Sequence, residues 1–201
     1  MDRKVILISG KQGSGKSTLA ANLVAHFREK KLNPLVIKFA DSLYEMHNAV
    51  LRVLANQGVP VQPDKTLLQV LGEWARTRVH EDLFVQLMNM NIQFSGTADV
   101  IIIDDLRFVN EFEGVEGFKV RLEASEDVRK VRCSQWRDNS SHKSEIDLDN
   151  SLDKFNLVVH TDTLDSDSTL QTVLDALPPE YKNVSGPKAR KAEDPVQTST
   201  P

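Results

Sequence analysis

Apolar residues gather in short blocks separated by longer stretches of helical periodicity. The first block, "KVILIS" (4–9), is a β-branched run of the kind found in a strand buried on both faces. From about Lys16, "KSTLAANLVAHFREKK" repeats Leu19, Leu23 and Phe27 at helical spacing. "NPLVIKFA" (33–40) predicts a second strand after a proline turn, and "SLYE" (42–45) reads as a capping box that starts a helix near Leu43. After a loop with two prolines, "QGVPVQPDK" (57–65), "TLLQVLGEWARTRV" and "EDLFVQLMNMNIQF" predict two further helices. "ADVIIIDD" (98–105), "FKVRLEA" (118–124) and "FNLVVHT" (155–161) predict the remaining strands. Helical "EDVRKVRCSQWR", with Ser125 as its expected N-cap, and "STLQTVLDAL" (168–177) complete the pattern. Strands alternating with helices specify an α/β fold, here a five-stranded parallel sheet with helices on both faces.

Residues 1–177 are therefore expected to form one domain, and 178–201, rich in Pro, Ser, Thr and charge, a disordered tail outside it. A chain of 201 residues with 40% apolar and 27% charged residues suits one soluble globular unit. The net charge of −4 gives no sign of a general nucleic-acid-binding surface, and none is expected. The single Cys133 excludes an intramolecular disulfide and a multi-cysteine zinc site. No apolar run approaches the ~18–20 residues that span a bilayer, and the N-terminal run is too short for a secretory signal. A cytoplasmic location without membrane contact is the expectation.

Between the first strand and the first helix lies "GKQGSGKST": Gly10, four residues, then Gly15, Lys16 and Ser17. This is the phosphate-cradling P-loop pattern, in the strand–loop–helix context that it requires. Gly10, Gly13 and Gly15 let the backbone turn N–H groups onto phosphate oxygens. Lys11, Gly13, Ser14, Gly15, Lys16, Ser17 and Thr18 form the expected ATP-binding set, with Lys16 reaching the β- and γ-phosphates and Ser17 holding Mg²⁺. "VIIIDD" ends a buried strand in Asp104 and Asp105, the Walker B arrangement. Side chains alternate along a strand, so the two acids have different jobs; Asp104 is assigned to Mg²⁺ and Asp105 to a substrate.

Arginines follow. Arg107, in "DDLRFVNE", is placed to clamp phosphate, with Glu111 four residues on to orient it. Arg129 and Arg132 share a helix face, and Arg137 enters the polar segment 138–144; together they suggest a helical lid over a triphosphate, about 129–145. An ordinary basic surface helix is the plainer alternative. Asp41 and Tyr44 lie after the second strand, where an acceptor would enter. Trp74 could stack on a base or belong to the core; Arg76 or Arg78 could hold an acceptor phosphate, and Arg78 joins Trp74 in the candidate set.

The segments "GKQGSGKST", "KFADSLYE", "LLQVLGEWAR", "IIDDLRFVNEFE", "RLEASEDVRKVR" and "SHKSEIDLD" together resemble the bacteriophage deoxynucleoside monophosphate kinases, within the P-loop nucleoside monophosphate kinase group. The resemblance spans about residues 4 to 162. It implies transfer of the γ-phosphoryl group of ATP, with Mg²⁺, to a deoxynucleoside 5′-monophosphate, and is compatible with a homodimer. It places Asp105, Arg107 and Glu111 at the substrate, and Arg132, Arg137, His142, Ser144 and Glu145 on the lid side. Lys16, Arg107, Arg132 and Arg137 form the expected catalytic set. Two departures stand out: Val109 replaces the proline of "RFPNE", and "LGEWAR" differs from the family's "WGTE", which bears on Trp74. Other readings remain open: a P-loop kinase of dephospho-coenzyme A or a nucleoside, a nucleotide-driven switch or ATPase, or a nucleotide-binding module without catalysis. A guanine-reading N-K-x-D motif is absent.

Overall fold

The computed structural model describes residues 3–134, 136 and 143–182. Its centre is a five-stranded parallel sheet in the order β2-β3-β1-β4-β5, formed by β1 (Lys4–Gly10), β2 (Pro34–Ile37), β3 (Val100–Leu106), β4 (Phe118–Glu123) and β5 (Leu157–His160). All four pairings are parallel, with Ile6 opposite Ile102 on one side and Phe118 on the other.

Strand alternation divides the core in two. Ile6, Ile8, Ile102, Val120 and Leu122 face α1 (Lys16–Glu29), α8 (Ser166–Ala176) and α9 (Pro179–Lys182). Val5, Leu7, Ile101 and Ile103 face the other way, against α2 (Phe39–Asn56), α4 (Leu83–Gln93) and α5 (Val109–Gly114). The remaining helices are α3 (Lys65–Trp74), α6 (Glu126–Arg132) and α7 (Lys143–Ile146). The chain passes from α3 straight into a π-helical turn, Ala75–Val79, and a 3₁₀ turn, Asp149–Lys154, precedes β5.

Two local expectations are corrected, and a third, the Ser125 cap, holds in position only. Helix α2 starts at Phe39 rather than near Leu43, so Ser42 lies inside it. Its first N–H groups are taken by a residue distant in sequence: Asp105 accepts from Phe39 N at 2.9 Å and Ala40 N at 3.0 Å. Ser125 stands at the N-cap position of α6 without a side-chain capping bond; its N–H donates to Asp162 at 2.8 Å. The folded unit also runs past residue 177. Tyr181 is buried against the α1 side of the sheet, and its hydroxyl donates to the Val5 carbonyl at 3.0 Å.

Candidate active site

All five strands point their carboxyl ends toward one edge of the sheet, where the loop between β1 and α1 turns. Gly10 (φ 149°) and Gly13 (φ 79°) adopt backbone conformations that only glycine takes without strain. A Cβ on Gly13 would also lie 2.6 Å from the Arg129 carbonyl, so the loop packs directly on α6. Lys16 Nζ donates to the carbonyls of Gly10 at 2.7 Å and Lys11 at 3.0 Å. Burial, then the neighbouring Arg107 charge, lowers its pKa to about 8. Ser17 and Thr18 are exposed in the first turn of α1, and Ser14 is buried with its hydroxyl unpaired among the described residues.

Other elements hold this loop in place. Gln12 N–H donates to Glu145 at 2.9 Å, its carbonyl accepts from Arg129 at 3.2 Å, and its side-chain amide contacts Cys133 Sγ at 3.2 Å. Lys11 pairs with Asp149 at 2.7 Å. Asp149 also accepts from Arg121 at 2.9 Å, and Arg121, buried in β4, donates to Ser9 Oγ at 3.1 Å.

At the end of β3 the two acids do part company, as alternation requires. Asp104 is buried, and Lys38 Nζ lies 3.1 Å from its Oδ1 and donates to Oδ2 at 3.2 Å. Oδ1 itself takes no hydrogen bond among the described residues. Asp105 caps α2 while lining the large cavity described below. Burial pushes its pKa up, and the two N–H bonds partly oppose that shift.

The expected Arg107–Glu111 orientation is replaced by a different one. Glu111 accepts from the backbone N–H groups of Arg107 at 2.9 Å and Phe108 at 3.1 Å. The Arg107 guanidinium instead meets Glu145 at 2.6 Å. Glu145 thus joins the P-loop to Arg107, one carboxylate oxygen for each. Burial raises the Glu111 pKa to about 7.

Beyond Arg107 opens a cavity of about 1210 Å³ between α2, α3, the π-helical turn and α5. Phe39, Phe84 and Phe108 supply apolar wall, with Arg76, Glu111 and Tyr44 among its polar groups. The Arg76 guanidinium lies between two rings, 4.6 Å from the Phe84 centroid and 4.7 Å from that of Phe108. Three of the sequence candidates between Asp41 and Arg78 do not line this cavity. Trp74 is 51% exposed, in neither core nor cavity. Arg78, two residues from Arg76 and so across the helical turn, faces solvent. Asp41 is exposed and accepts from Lys38 N–H at 2.8 Å, bracing the start of α2.

A smaller cavity, about 270 Å³, lies on the opposite side of the P-loop, among Gly15, Thr18, Arg132, Thr161 and Leu164. Arg132 donates to the Thr161 hydroxyl at 3.1 Å and its carbonyl at 2.6 Å, joining α6 to β5. Arg129 turns the other way, onto Gln12 and the Trp136 ring. Ser144 and Glu145 belong to α7, whereas Arg137 and His142 lie outside the described residues.

Sequence reasoning missed Lys38, Arg121, Asp147 and Asp149. Arg121 had a visible signal, a charge inside the apolar run of β4. Glu145, Asp147 and Asp149 formed another, acids alternating in "SEIDLDN". Among the described residues, no cluster of three or more His, Cys, Asp or Glu side chains could hold a metal ion, and no helix is long and apolar enough to cross a membrane.

Residues 6–153 match the family model of an AAA domain, AAA_18. The chain belongs to that family. No curated protein sequence matches this AAA-domain chain. Its fold is that of the P-loop kinases, as several solved structures show. TT1252 from Thermus thermophilus is 20% identical, with a TM-score of 0.56 over 89% of this chain and 100% of its own. Thymidylate kinase from Candida albicans is 15% identical, with a TM-score of 0.54 over 91% and 94%. The Mycobacterium tuberculosis APS kinase CysC, in complex with AMPPNP and APS, is 13% identical, with a TM-score of 0.51 over 87% and 96%.

Proposed function

We propose that this AAA-domain protein is a phosphotransferase that moves the γ-phosphoryl group of ATP to a deoxynucleoside 5′-monophosphate, supplying diphosphates for DNA synthesis. The observation that carries this reading is the position of Arg107. It lines the large cavity, and through Glu145 it is tied to the P-loop N–H of Gln12. An acceptor in that cavity therefore meets the P-loop at a fixed guanidinium.

On the donor side, the N–H groups of residues 13–18 and Lys16 would hold the triphosphate, with its nucleoside toward the smaller cavity at Thr18 and Arg132. On the acceptor side, Phe39, Phe84 and Phe108 offer faces for a base and sugar, and Arg76 and Arg107 offer cations for the monophosphate. The cavity has more than enough room for a nucleotide. The deoxyribose preference rests on the family resemblance of the motifs.

An acceptor phosphate oxygen is already ionised near pH 7, so it attacks the γ-phosphorus without a general base. The bond from that phosphorus to the β–γ bridging oxygen breaks, and ADP leaves. Lys16 and Arg107 act by stabilising charge, with Arg132 on the donor side. Mg²⁺ would neutralise charge on the β- and γ-phosphates. Ser17 and Asp104 would hold it: Asp104 is a buried carboxylate at the end of β3, the strand beside β1 and its P-loop, and its counter-charge in the structure is the Lys38 ammonium, 3.1 Å from Oδ1.

The test is turnover with ATP and Mg²⁺ across dAMP, dGMP, dCMP and dTMP, beside their ribose counterparts, dephospho-coenzyme A and nucleosides. A deoxynucleoside diphosphate is the expected product. Phosphorylation of a nucleoside or dephospho-coenzyme A, with none of any monophosphate, would sink the proposal.

A further inference from the structure

The turn that carries Arg107 is held by three carboxylates. Glu111 takes the N–H groups of Arg107 and Phe108. The next N–H, that of Val109, donates to Asp147 Oδ2 at 2.9 Å. Glu145 takes the guanidinium itself. Glu145 and Asp147 come from one short segment, α7 and the residues after it, which is anchored because the next residue, Leu148, is fully buried in the core. The same segment therefore holds the Arg107 turn at two points, the guanidinium by Glu145 and the backbone two residues on, at the Val109 N–H, by Asp147.

We propose that Asp147 is a positioning residue: through the Val109 N–H it sets where the Arg107 guanidinium stands between the large cavity and the P-loop. The proposal rests on the phosphotransferase reading for Arg107. Phosphoryl transfer depends mainly on alignment and charge placement, so a small displacement of Arg107 lowers the rate of the chemical step. ATP binding, which is made elsewhere on the P-loop, changes little.

The geometry offers an unusually clean probe. Val109 is the first residue of α5, where the N–H has no partner within the helix. Proline is favoured at that position, and the family resembled carries it in "RFPNE"; the N–H contact to Asp147 is therefore a device of this chain, standing in for a rigid proline turn. The preceding residue, Phe108, has φ −115° and ψ 152°, which proline accepts in its predecessor. Val109→Pro therefore deletes the donor to Asp147 while suiting the helix. Asp147→Ala deletes the acceptor, and Asp147→Asn keeps an oxygen for it.

The experiment is a double-mutant cycle on the full chain, reading kcat, KM for ATP and Tm. Val109→Pro is expected to lower kcat about tenfold with KM for ATP and Tm held, a change of about 1.4 kcal/mol in the barrier. Asp147→Ala should lower kcat similarly, Asp147→Asn should restore most of it, and the double variant should be no slower than either single one. Wild-type kcat in Val109→Pro, or effects of the two single variants that multiply, would overturn the proposal. So would loss of folding in both variants, which would make the contact a structural one.

A second readout separates this proposal from the reading beneath it. The Arg107 side-chain Nε–H resonance, assigned by its loss in Arg107→Lys, should be shifted or broadened in Val109→Pro and Asp147→Ala. An unchanged resonance overturns the positioning role whether or not the protein transfers phosphoryl groups. If wild type transfers to no monophosphate while that resonance responds as expected, it is the phosphotransferase reading that falls.

Discussion

On the side assigned to the donor, one contiguous run from Gly10 to Thr18 supplies the backbone turn, the N–H groups, Lys16 and Ser17. The cavity assigned to the acceptor draws Phe39, Arg76, Phe84, Arg107 and Phe108 from separate stretches of chain. The first arrangement is made by local backbone geometry, the second by how helices pack over the sheet edge. A substitution on the donor side should therefore damage binding and transfer together. On the acceptor side the two should separate.

The largest expected effect comes from the donor side. Lys16→Ala should slow transfer by about 10³-fold or more and also weaken ATP, read by turnover and calorimetry. A variant within about tenfold of wild type would remove this lysine from the chemistry.

Next is Glu111, whose folded pKa of about 7 lies above its ordinary value of 4.5. The folded protein holds a proton that the unfolded chain releases. The resulting stability is fully present below pH 4.5 and is lost as pH rises through about 7. The span corresponds to about 3 kcal/mol. Denaturant unfolding across that range should show Glu111→Gln gaining on wild type as pH rises. A constant difference between the two would contradict the buried carboxyl.

Arg107→Ala should slow transfer about 10²-fold while ATP binding is largely retained, the separation that the dispersed side predicts. Equal loss of both would erase the distinction between the halves, and unchanged turnover would contradict the proposed site.

The smallest effect is the most selective. Arg76→Ala should raise KM for the monophosphate about tenfold with KM for ATP unchanged, whereas Arg78→Ala should alter either by less than about twofold. A reversed order would put Arg78 at the acceptor after all.

The same contrast explains what could be read in advance. The central strands and the phosphate loop were legible because burial on both faces writes continuous apolar runs and the loop keeps its glycines within six residues. The partly buried edge strands β2 and β5 still showed as short apolar runs. The start of α2 was not. Its cap is Asp105, brought in from β3 by the fold, while the local "SLYE" signal fell inside the helix. Arg76 and Arg78 were indistinguishable as neighbours in a row of polar residues; the Phe84 and Phe108 rings that select Arg76 come from other elements. Glu111 was matched with Arg107, and it does meet that residue, but at the backbone N–H and not at the guanidinium. Sequence spacing identified proximity to Arg107 without saying whether backbone or guanidinium would be met.

Gln12 occupies a position that the P-loop pattern leaves as a wildcard. Here three residues grip it: Glu145 at its N–H, Arg129 at its carbonyl and Cys133 at its side chain. Transplanting the same stretch from another P-loop protein would preserve every residue the pattern specifies and keep the main-chain contacts, yet forfeit the one made by the glutamine amide. Interchangeability among P-loops is thus narrower in this chain than the pattern implies, and its limit is set by the scaffold around the loop.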